Sequence, residues 1–299
     1  MKKITDILKK SEVLVFDGAW GTMLQKMGLK AGECPELWNT IYPERVIEIG
    51  KAYVNAGADL IETNSFGGNR LKLASWSLQD KAAELNRQAA MLSRQAAGNS
   101  VLVIGSIGPT GKMLMMGDIT EAELYDAFAE QASALAEGGA DALIIETMSA
   151  TDEACIAVQA AKEATNLEVI CTMTFNKADN GEYHTMMGVK PEQMVDELLA
   201  AGADAIGANC SNGIKEMIAL TAEIRSYNRQ IPIIIQANAG LPVYSNGQTL
   251  YKETPADMAS PVNELIKAGA SVIGGCCGTT PDHIAAIKQA CNAYRRTNH

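Results

Sequence analysis

Short apolar segments alternate with longer amphipathic segments along the whole chain. The short segments are rich in β-branched residues, which is typical of buried strands. They predict eight strands, at Val13–Phe16, Leu60–Asn64, Val101–Ile107, Ala142–Glu146, Val169–Phe175, Ala205–Asn209, Ile231–Ala237 and Val272–Gly275.

The longer segments carry apolar residues at helical spacing and predict one helix after each strand. These helices are Pro43–Ala56, Lys81–Ala97, Glu121–Glu137, Asp152–Thr165, Pro191–Ala201, Ile214–Arg229, Pro255–Ala268 and Pro281–Ala293. Two of them begin with a threonine followed by a proline, Thr254-Pro255 and Thr280-Pro281, which indicates an N-cap and a first helical turn.

A Gly-Ala-Asp motif recurs where a predicted helix ends and the next strand begins. It starts at Gly57, Gly139 and Gly202, and a Gly-Ala-Ser version starts at Gly269. Glycine adopts the left-handed conformation that ends many helices, so each helix is expected to turn directly into a strand. Eight strands and eight helices joined in this way predict a (β/α)₈ TIM barrel, as one domain over residues 1–299.

The composition narrows the possible functions. The chain has 299 residues, of which 47% are hydrophobic and 20% charged, and its net charge is −10 without a Lys/Arg cluster. We therefore expect no nucleic-acid partner. No apolar run approaches the ~18 residues of a membrane helix, and the N-terminal segment carries too much charge for a signal peptide. An odd set of 7 cysteines then predicts thiols or metal ligands in a cytoplasmic protein.

Active sites of such barrels lie at the C-terminal ends of the strands. The predicted strand ends carry polar, acidic or thiol side chains, namely Asp17, Asn64, Glu146, Cys210, Asn238, Cys276 and Cys277. We therefore expect the functional site to lie at this rim.

Three of the rim residues are cysteines from two strands. Cys210 follows the sixth predicted strand, and Cys276 and Cys277 follow the eighth. Neighbours in a regular strand point to opposite faces, but the glycines around this pair would let the backbone bend so that both sulfurs reach one ion. The alternative is a pair of buried apolar cysteines beside a glycine-rich turn. We predict a metal site of Cys210, Cys276 and Cys277. Ordinary positions are expected for the other four cysteines, Cys34, Cys155, Cys171 and Cys291.

Three thiolates favour zinc over magnesium, calcium or manganese, which prefer oxygen ligands. The histidines, His184, His283 and His299, lie away from the predicted strand ends, which argues against a histidine-rich hydrolytic site. Zinc held by three sulfurs is a weak Lewis acid, but an open fourth position can bind a substrate thiol and keep it deprotonated. The expected chemistry is alkyl transfer to sulfur.

Two carboxylates share the same rim. Asp17 and Glu146 could act as a general acid and base, or could bind a substrate ammonium group, and Asp17 could instead cap loop amides. The glycine-rich loop from Asn64 through Ser65 and Phe66 offers backbone N–H groups that could receive a carboxylate. After the third strand, an apolar stretch with Met113, Met115 and Met116 either packs on a neighbouring loop or contacts a bulky cofactor.

Taken in order, five motifs resemble the homocysteine S-methyltransferase family over nearly the whole chain. They are Asp17-Gly-Ala, Glu62-Thr-Asn, Gly105-Ser-Ile-Gly-Pro, Asn209-Cys and Gly274-Gly-Cys-Cys-Gly. Within the family, Gly108-Pro-Thr-Gly-Lys-Met113 and Gln236-Ala-Asn-Ala-Gly-Leu-Pro242 are most similar to the homocysteine-binding domain of cobalamin-dependent methionine synthase.

The resemblance implies zinc on Cys210, Cys276 and Cys277, with the homocysteine sulfur as the fourth ligand. It implies that Asp17 and Glu146 hold the ammonium group and that the backbone around Ser65 and Phe66 receives the carboxylate. It also places Asn238 near the metal, where its side-chain oxygen would take the fourth position without substrate.

Methionine synthase continues into folate-binding and corrinoid-binding domains, neither of which this chain resembles. We therefore expect methyl transfer to homocysteine, giving methionine, from methylcobalamin on a separate corrinoid protein. Several alternatives stay open: a small donor such as a sulfonium compound, a different thiol acceptor, a non-catalytic thiol- or zinc-binding subunit, and an excised piece of a longer protein.

Overall fold

The fold is a parallel barrel surrounded by helices, in a computed structural model that describes residues 3–9, 13–245 and 248–298. The barrel strands are β1 (Leu14–Val15), β2 (Leu60–Glu62), β3 (Leu102–Ile107), β4 (Ala142–Met148), β5 (Glu168–Met173), β6 (Ala205–Gly213), β7 (Ile233–Asn238) and β8 (Val272–Gly275). They lie in the order β1-β8-β7-β6-β5-β4-β3-β2. A parallel bridge between Phe16 and Leu60 joins the two ends of this order and closes the barrel. The eight predicted strands and the (β/α)₈ fold are thus confirmed.

The helices are α1 (Ile4–Leu8), α2 (Trp20–Lys26), α3 (Trp38–Ile41), α4 (Pro43–Asn55), α5 (Arg70–Leu73), α6 (Ala82–Ala97), α7 (Glu121–Glu137), α8 (Thr151–Ala164), α9 (Pro191–Ala200), α10 (Ile214–Tyr227), α11 (Pro255–Ala259), α12 (Val262–Ala268) and α13 (Pro281–Asn298). Seven of the eight predicted helices are confirmed with small changes at their ends. The continuous helix predicted over Pro255–Ala268 is wrong, because it divides into α11 and α12 at Pro261, which has no backbone N–H to continue the helix.

Two short hairpins extend the loops that follow β5 and β7. Asn176–Lys177 pairs with Tyr183–His184, and Val243–Ser245 pairs with Gln248–Leu250. Both lie on the side of the barrel where the strands end, which is the side of the predicted site. Among the helices that the structure describes, none is long and apolar enough to cross a membrane.

The interior of the barrel changes from apolar to polar along the strands. Side chains of alternate strand residues point inward. The lower inward positions form one apolar cluster that includes Leu60, Ile104, Ile144, Ile170, Ile234 and Val272. The next inward positions towards the C-terminal ends are polar, at Glu62, Ser106, Glu146, Thr172, Asn209 and Gln236, and all are at least nine-tenths buried. The strands therefore carry a buried polar layer directly beneath the rim.

The opposite end of the barrel is closed by α1. Ile4 packs into the apolar interior cluster and is 2% exposed. Its backbone N–H donates to Glu168 Oε2 at 2.5 Å, and Glu168 is the first residue of β5. This contact leaves the C-terminal rim as the open end of the barrel.

Candidate metal and substrate site

The three predicted cysteine ligands come together at the C-terminal rim. The sulfur atoms of Cys210, Cys276 and Cys277 all lie within 4.8 Å of one another. The distance is 3.9 Å from Cys210 Sγ to Cys277 Sγ and 4.0 Å from Cys276 Sγ to Cys277 Sγ. Zinc–sulfur bonds of ~2.3 Å at tetrahedral angles give sulfur–sulfur separations of about 3.8 Å. The spacing of the cluster therefore fits a tetrahedral zinc ion, and all three thiols are free.

Cys276 and Cys277 escape the alternation of a strand because β8 ends at Gly275, one residue before them. The turn is held by the Cys276 N–H, which donates to Ala237 O at 2.7 Å, and by the Ala239 N–H, which donates to Cys277 O at 2.9 Å. Gly278 has a φ of 81°, which favours glycine. A Cβ at Gly275 would lie 2.4 Å from Thr279 Oγ1, so a side chain there would displace the turn.

Cys210 reaches the cluster through an unusual backbone. Its φ is 61° and that of Ser211 is 57°, both in the left-handed region that few non-glycine residues adopt. The pairing of β6 with β7 shifts register between Asn209 and Gly213 at the same place. Such conformations cost on the order of 1 kcal/mol or more and persist where surrounding contacts hold them. The irregularity turns the Cys210 sulfur towards the other two.

Asn209, directly before Cys210, supplies those contacts. It is fully buried, and its Oδ1 accepts from Thr147 N at 2.9 Å and from Thr172 Oγ1 at 2.9 Å. Its Nδ2 donates to Thr147 Oγ1 at 2.7 Å. Thr147 also has a left-handed φ, 61°, in an irregularity of β4 that follows Glu146. One amide therefore joins the backbone of a cysteine ligand to the strand end that carries Glu146.

Two further side chains lie against the sulfur cluster. Contacts with the Cys276 and Cys277 thiols lower the Cys210 pKa, and the Asn238 amide, which also contacts Cys210, lowers it further. Asn238 Oδ1 is buried and has no hydrogen-bond partner among the described residues. Tyr251 lies beside Cys277, and burial together with the thiol charges raises the pKa of its phenol. A side-chain amide that lies beside Cys210 and has an unpartnered oxygen is a candidate fourth ligand for a cation.

The cluster forms one wall of a cavity of about 270 Å³. The lining combines the three cysteines with acidic and polar groups, chiefly Glu36, Glu62, Ser106, Glu146 and Gln236, and with the turn Asn64, Ser65 and Phe66. A metal-binding wall therefore faces an acceptor-rich pocket.

Glu146 and Asp17 differ in their access to this cavity. Glu146 lines it, and Ser106 Oγ donates to Glu146 Oε1 at 2.5 Å. Burial raises the Glu146 pKa to about 7. Asp17 lies behind the lining and is fully buried, with Oδ2 accepting from Trp20 Nε1 at 2.8 Å and from Glu62 N at 2.9 Å. Its Oδ1 is buried without a partner in the described part of the chain. Asp17 therefore binds an indole and the last N–H of β2, and not the loop amides of the alternative interpretation, and it still keeps one free acceptor.

The turn predicted to receive a carboxylate is only partly available. The Ser65 N–H donates to Thr63 O at 2.9 Å, and the Gly67 N–H donates to Glu36 Oε1 at 2.7 Å. The Phe66 N–H has no acceptor within residues 3–9, 13–245 and 248–298. The Asn64 side chain donates to Pro35 O and Asn39 Oδ1, so it supports the turn from behind.

The remaining predicted positions lie apart from the cluster. Cys34, Cys171 and Cys291 are buried and Cys155 is half-buried, as expected of ordinary cysteines. His184 lies in the hairpin after β5, and His283 of α13 contacts Thr280 and the Glu253 carbonyl. His299 lies outside the described residues.

Several residues of the site were not predicted, namely Glu36, Glu62, Asn209, Gln236 and Tyr251. A signal existed for three of them, because Glu62, Asn209 and Gln236 continue the inward alternation of apolar residues such as Leu60 and Ile234. Glu36 and Tyr251 belong to long loops, whose path over the rim has no periodic signal.

Comparison with known proteins agrees with this arrangement. Residues 14–291 match the family model described as homocysteine S-methyltransferase. The methionine synthase of Mycobacterium leprae (strain TN) is 32% identical over 306 residues, which cover 96% of this chain and 25% of that protein. The methionine synthase of Mycobacterium tuberculosis (strain ATCC 25618 / H37Rv) is 30% identical over 313 residues, which cover 98% of this chain and 26% of that protein. This chain thus spans about a quarter of the length of these relatives.

Among solved structures, the metallated form of the homocysteine methyltransferase MmuM from Escherichia coli is similar in fold. Its TM-score is 0.78 at 23% sequence identity, and the match covers 95% of this chain and 98% of that chain. The family match extends over all eight strands and includes the three clustered cysteines. The chain belongs to the homocysteine S-methyltransferase family.

Proposed function

We propose that this chain transfers a methyl group to the sulfur of homocysteine and forms methionine, in a zinc-dependent reaction whose methyl group comes from a separate corrinoid protein. The observation that carries the proposal is the convergence of three sulfurs from two strand ends on the wall of an acceptor-rich cavity. The family match supports a homocysteine acceptor. We also propose that residues 1–299 act as one homocysteine-binding domain.

Cys210, Cys276 and Cys277 would hold the zinc ion, with Asn238 Oδ1 as the fourth ligand when no thiol is bound. A zinc ion bound in this way supplies a positive charge that keeps a coordinating thiol deprotonated at neutral pH. The spacing of the sulfurs and the unpartnered Asn238 oxygen support this assignment.

The other groups orient the amino acid. Glu146 and the free Oδ1 of Asp17 accept hydrogen bonds from the substrate ammonium group, while the open Phe66 N–H in the turn with Ser65 receives its carboxylate. Asn64 keeps this turn in place through Pro35 and Asn39. Held at both ends, the substrate directs its sulfur towards the cysteines, and proximity lowers the barrier to reaction.

The reaction is a displacement at the methyl carbon. A carbon–sulfur bond forms as the bond from the methyl group to its donor breaks, and the donor leaves with that electron pair. The thiol proton is lost to solvent. The chain's contribution is to bind and orient the nucleophile and to exclude water from the buried carboxylates.

A panel of methyl donors tests the proposal. The zinc-loaded protein is incubated with homocysteine and with a methyl-loaded corrinoid protein, free methylcobalamin or a methyl sulfonium compound, and methionine is measured. We expect the highest rate with the corrinoid protein. If only the sulfonium compound gave methionine, the methyl donor would be a small molecule and not a corrinoid protein. If simpler thiols were methylated at equal rates, homocysteine would not be the specific acceptor. If no donor gave methylation, the chain would be a non-catalytic binding subunit.

The cysteine variants supply the matched control. Cys277→Ser should lose zinc and lower the rate at least about 100-fold, since a hydroxyl is a poor zinc ligand. Cys155→Ser, at a half-buried position on α8 outside the cluster, should keep both. A Cys277→Ser protein that retained zinc and activity would contradict the proposal.

A further inference from the structure

Glu62 is a cavity-lining carboxylate to which neither the sequence motifs nor the proposed function gives a role. It ends β2 at an inward position, is 8% exposed and lines the cavity together with Glu146. Gln236 of β7 reaches across the barrel and donates from Nε2 to Glu62 Oε1 at 2.7 Å. The carboxylate is therefore fixed in orientation, and Oε2 is left for another partner.

The barrel is built to allow this contact. A Cβ at Gly274, the inward residue between the two strands, would lie 2.6 Å from Phe16 Cβ and 3.3 Å from Gln236 Cγ. The absence of a side chain at Gly274 thus lets Gln236 extend towards β2. On the other side, the Glu62 N–H donates to Asp17 Oδ2 at 2.9 Å, which fixes the backbone of the strand end.

Among the residues that the structure describes, the surroundings of Glu62 supply hydrogen-bond acceptors but no cation. In the described part of the chain, Glu62 takes part in no ion pair. Burial, with the nearby charges of Glu146 and Asp17, raises the Glu62 pKa well above its usual value. Gln236 Oε1 and Asp17 Oδ1 are both buried and unpartnered among the described residues. Buried carboxylates of this kind are stabilised by a bound cation with several N–H donors.

We propose that Glu62, oriented by Gln236, binds the ammonium group of the thiol acceptor and makes the cavity selective for α-amino thiols. The inference rests on the proposed function and adds a specificity-determining residue to it. An ammonium group has three N–H donors, which matches the three carboxylates Asp17, Glu62 and Glu146.

Binding of two ligands to the zinc-loaded protein separates this role from a structural one. Homocysteine and 4-mercaptobutyrate carry the same thiol and carboxylate, but the second lacks the ammonium group. Isothermal titration with Glu62→Gln should show homocysteine binding weakened about 10- to 100-fold, since a hydrogen bond to a charged group is lost. Binding of 4-mercaptobutyrate should change by less than about 2-fold. The variant keeps an oxygen for Gln236, and zinc content and thermal unfolding check its fold.

Glu36→Gln is the matched control, because Glu36 is also a buried carboxylate of the cavity lining but is already bonded to the Gly67 N–H and to Cys34 Sγ. It should not discriminate between the two ligands. Gln236→Met, which frees Glu62 without removing its charge, should weaken homocysteine binding by a smaller factor and spare 4-mercaptobutyrate.

Equal losses for both ligands in Glu62→Gln, or no loss for either, would overturn the inference while the proposed function stood. Failure of the wild-type protein to bind homocysteine would instead refute the proposed function.

Discussion

At the scale of single residues, the site depends on buried carboxylates that have hydrogen-bond partners but form no ion pair among the described residues. Asp17, Glu62 and Glu146 are carboxylates in the polar layer of the barrel, and each is at least nine-tenths buried. Burial raises the Asp17 pKa to about 8, above the usual value near 4 for aspartate. The free protein therefore stabilises the neutral acids, whereas a bound ammonium group would stabilise the carboxylates.

This difference gives a prediction for stability against pH. A carboxyl group whose pKa is raised by folding stabilises the fold fully below its unfolded pKa, near 4, and this contribution is lost as the pH rises towards its folded pKa. The free energy of unfolding of the metal-free protein should therefore fall between pH 5 and pH 8. In Glu62→Gln the fall should be smaller, because one of the carboxyl groups with a raised pKa is absent.

Denaturant unfolding at both pH values measures this effect. Glu48→Gln, at an exposed position on α4, is the control and should reproduce the wild-type fall. An identical pH dependence in wild type and Glu62→Gln would show that folding does not raise the Glu62 pKa.

Site residues could be predicted from the sequence where a metal-binding residue type stands at the end of a predicted strand. They could not be predicted where their role depends on a contact with a residue far away in the sequence. The cysteines are rare residue types at strand ends, so their convergence could be predicted. Glu62 and Gln236 are separated by 174 residues, and only the closed barrel brings them together. The left-handed conformation of Cys210 had no sequence signal, because the residue is not a glycine and lies where β6 shifts register against β7.

At the scale of helices and strands, the Gly-Ala-Asp motif explains how the barrel repeats its αβ turns. Gly57, Gly139, Gly202 and Gly269 have φ values of 94°, 99°, 100° and 117°. The following acidic residue then bonds to the preceding strand. At Asp204, the N–H donates to Val169 O and Oδ2 accepts from Val169 N, both at 2.8 Å. Lys162 of α8 also donates to Asp204 Oδ2 at 2.8 Å.

Asp204→Ala should therefore destabilise the protein by about 1–3 kcal/mol, since the Val169 N–H loses its side-chain acceptor and Lys162 its partner. Ser271 occupies the equivalent position in the last repeat, and its Oγ accepts from Ile233 N at only 3.4 Å. Ser271→Ala should cost clearly less, about 0.5 kcal/mol. Urea unfolding of both variants makes the comparison, and equal costs would show that the motif acts through glycine alone.

The order of strands and helices was predictable because one period of alternation and one turn motif recur through the chain. The ends of the strands were harder to predict. β4 and β6 extend beyond their predicted ends into irregular segments that contain Thr147 and Cys210. The two hairpins and the short helices α2, α3 and α5 lie in long loops after the strands, where the sequence has no periodic pattern of apolar residues.

At the scale of the whole molecule, most of the exposed large apolar side chains of the described residues lie on the side of the barrel that holds the cavity. The exposed large apolar side chains lie in segments that follow the C-terminal ends of β1, β2, β3, β5 and β7, and Met91 and Tyr227 are the exceptions among the described residues. Met113, Met115 and Met187 line a common depression in the loops after β3 and β5. The first alternative for the methionine loop was that it packs on a neighbouring loop. Leu114 does pack against the main apolar core. Met115 and Met116, however, are 72% and 71% exposed.

An apolar surface on the side of the barrel that holds the cysteines suits docking of the corrinoid protein proposed as the methyl donor. Met115→Glu should lower methionine formation from a methyl-corrinoid protein roughly 10-fold or more, because a charge would be buried at the contact. The rate with free methylcobalamin should change little. Met91→Glu, exposed on α6 away from the rim, should leave both rates unchanged, and a loss with both donors in Met115→Glu would contradict docking at this surface.

Zinc K-edge X-ray absorption tests the central claim most directly, since it counts the atoms bound to the metal. In the zinc-loaded protein we predict three sulfur neighbours at ~2.3 Å and one lighter neighbour, and four sulfurs after homocysteine is added. A spectrum with fewer than three sulfurs, or one that homocysteine leaves unchanged, would contradict the assignment of Cys210, Cys276 and Cys277 as the site where the acceptor thiol is held.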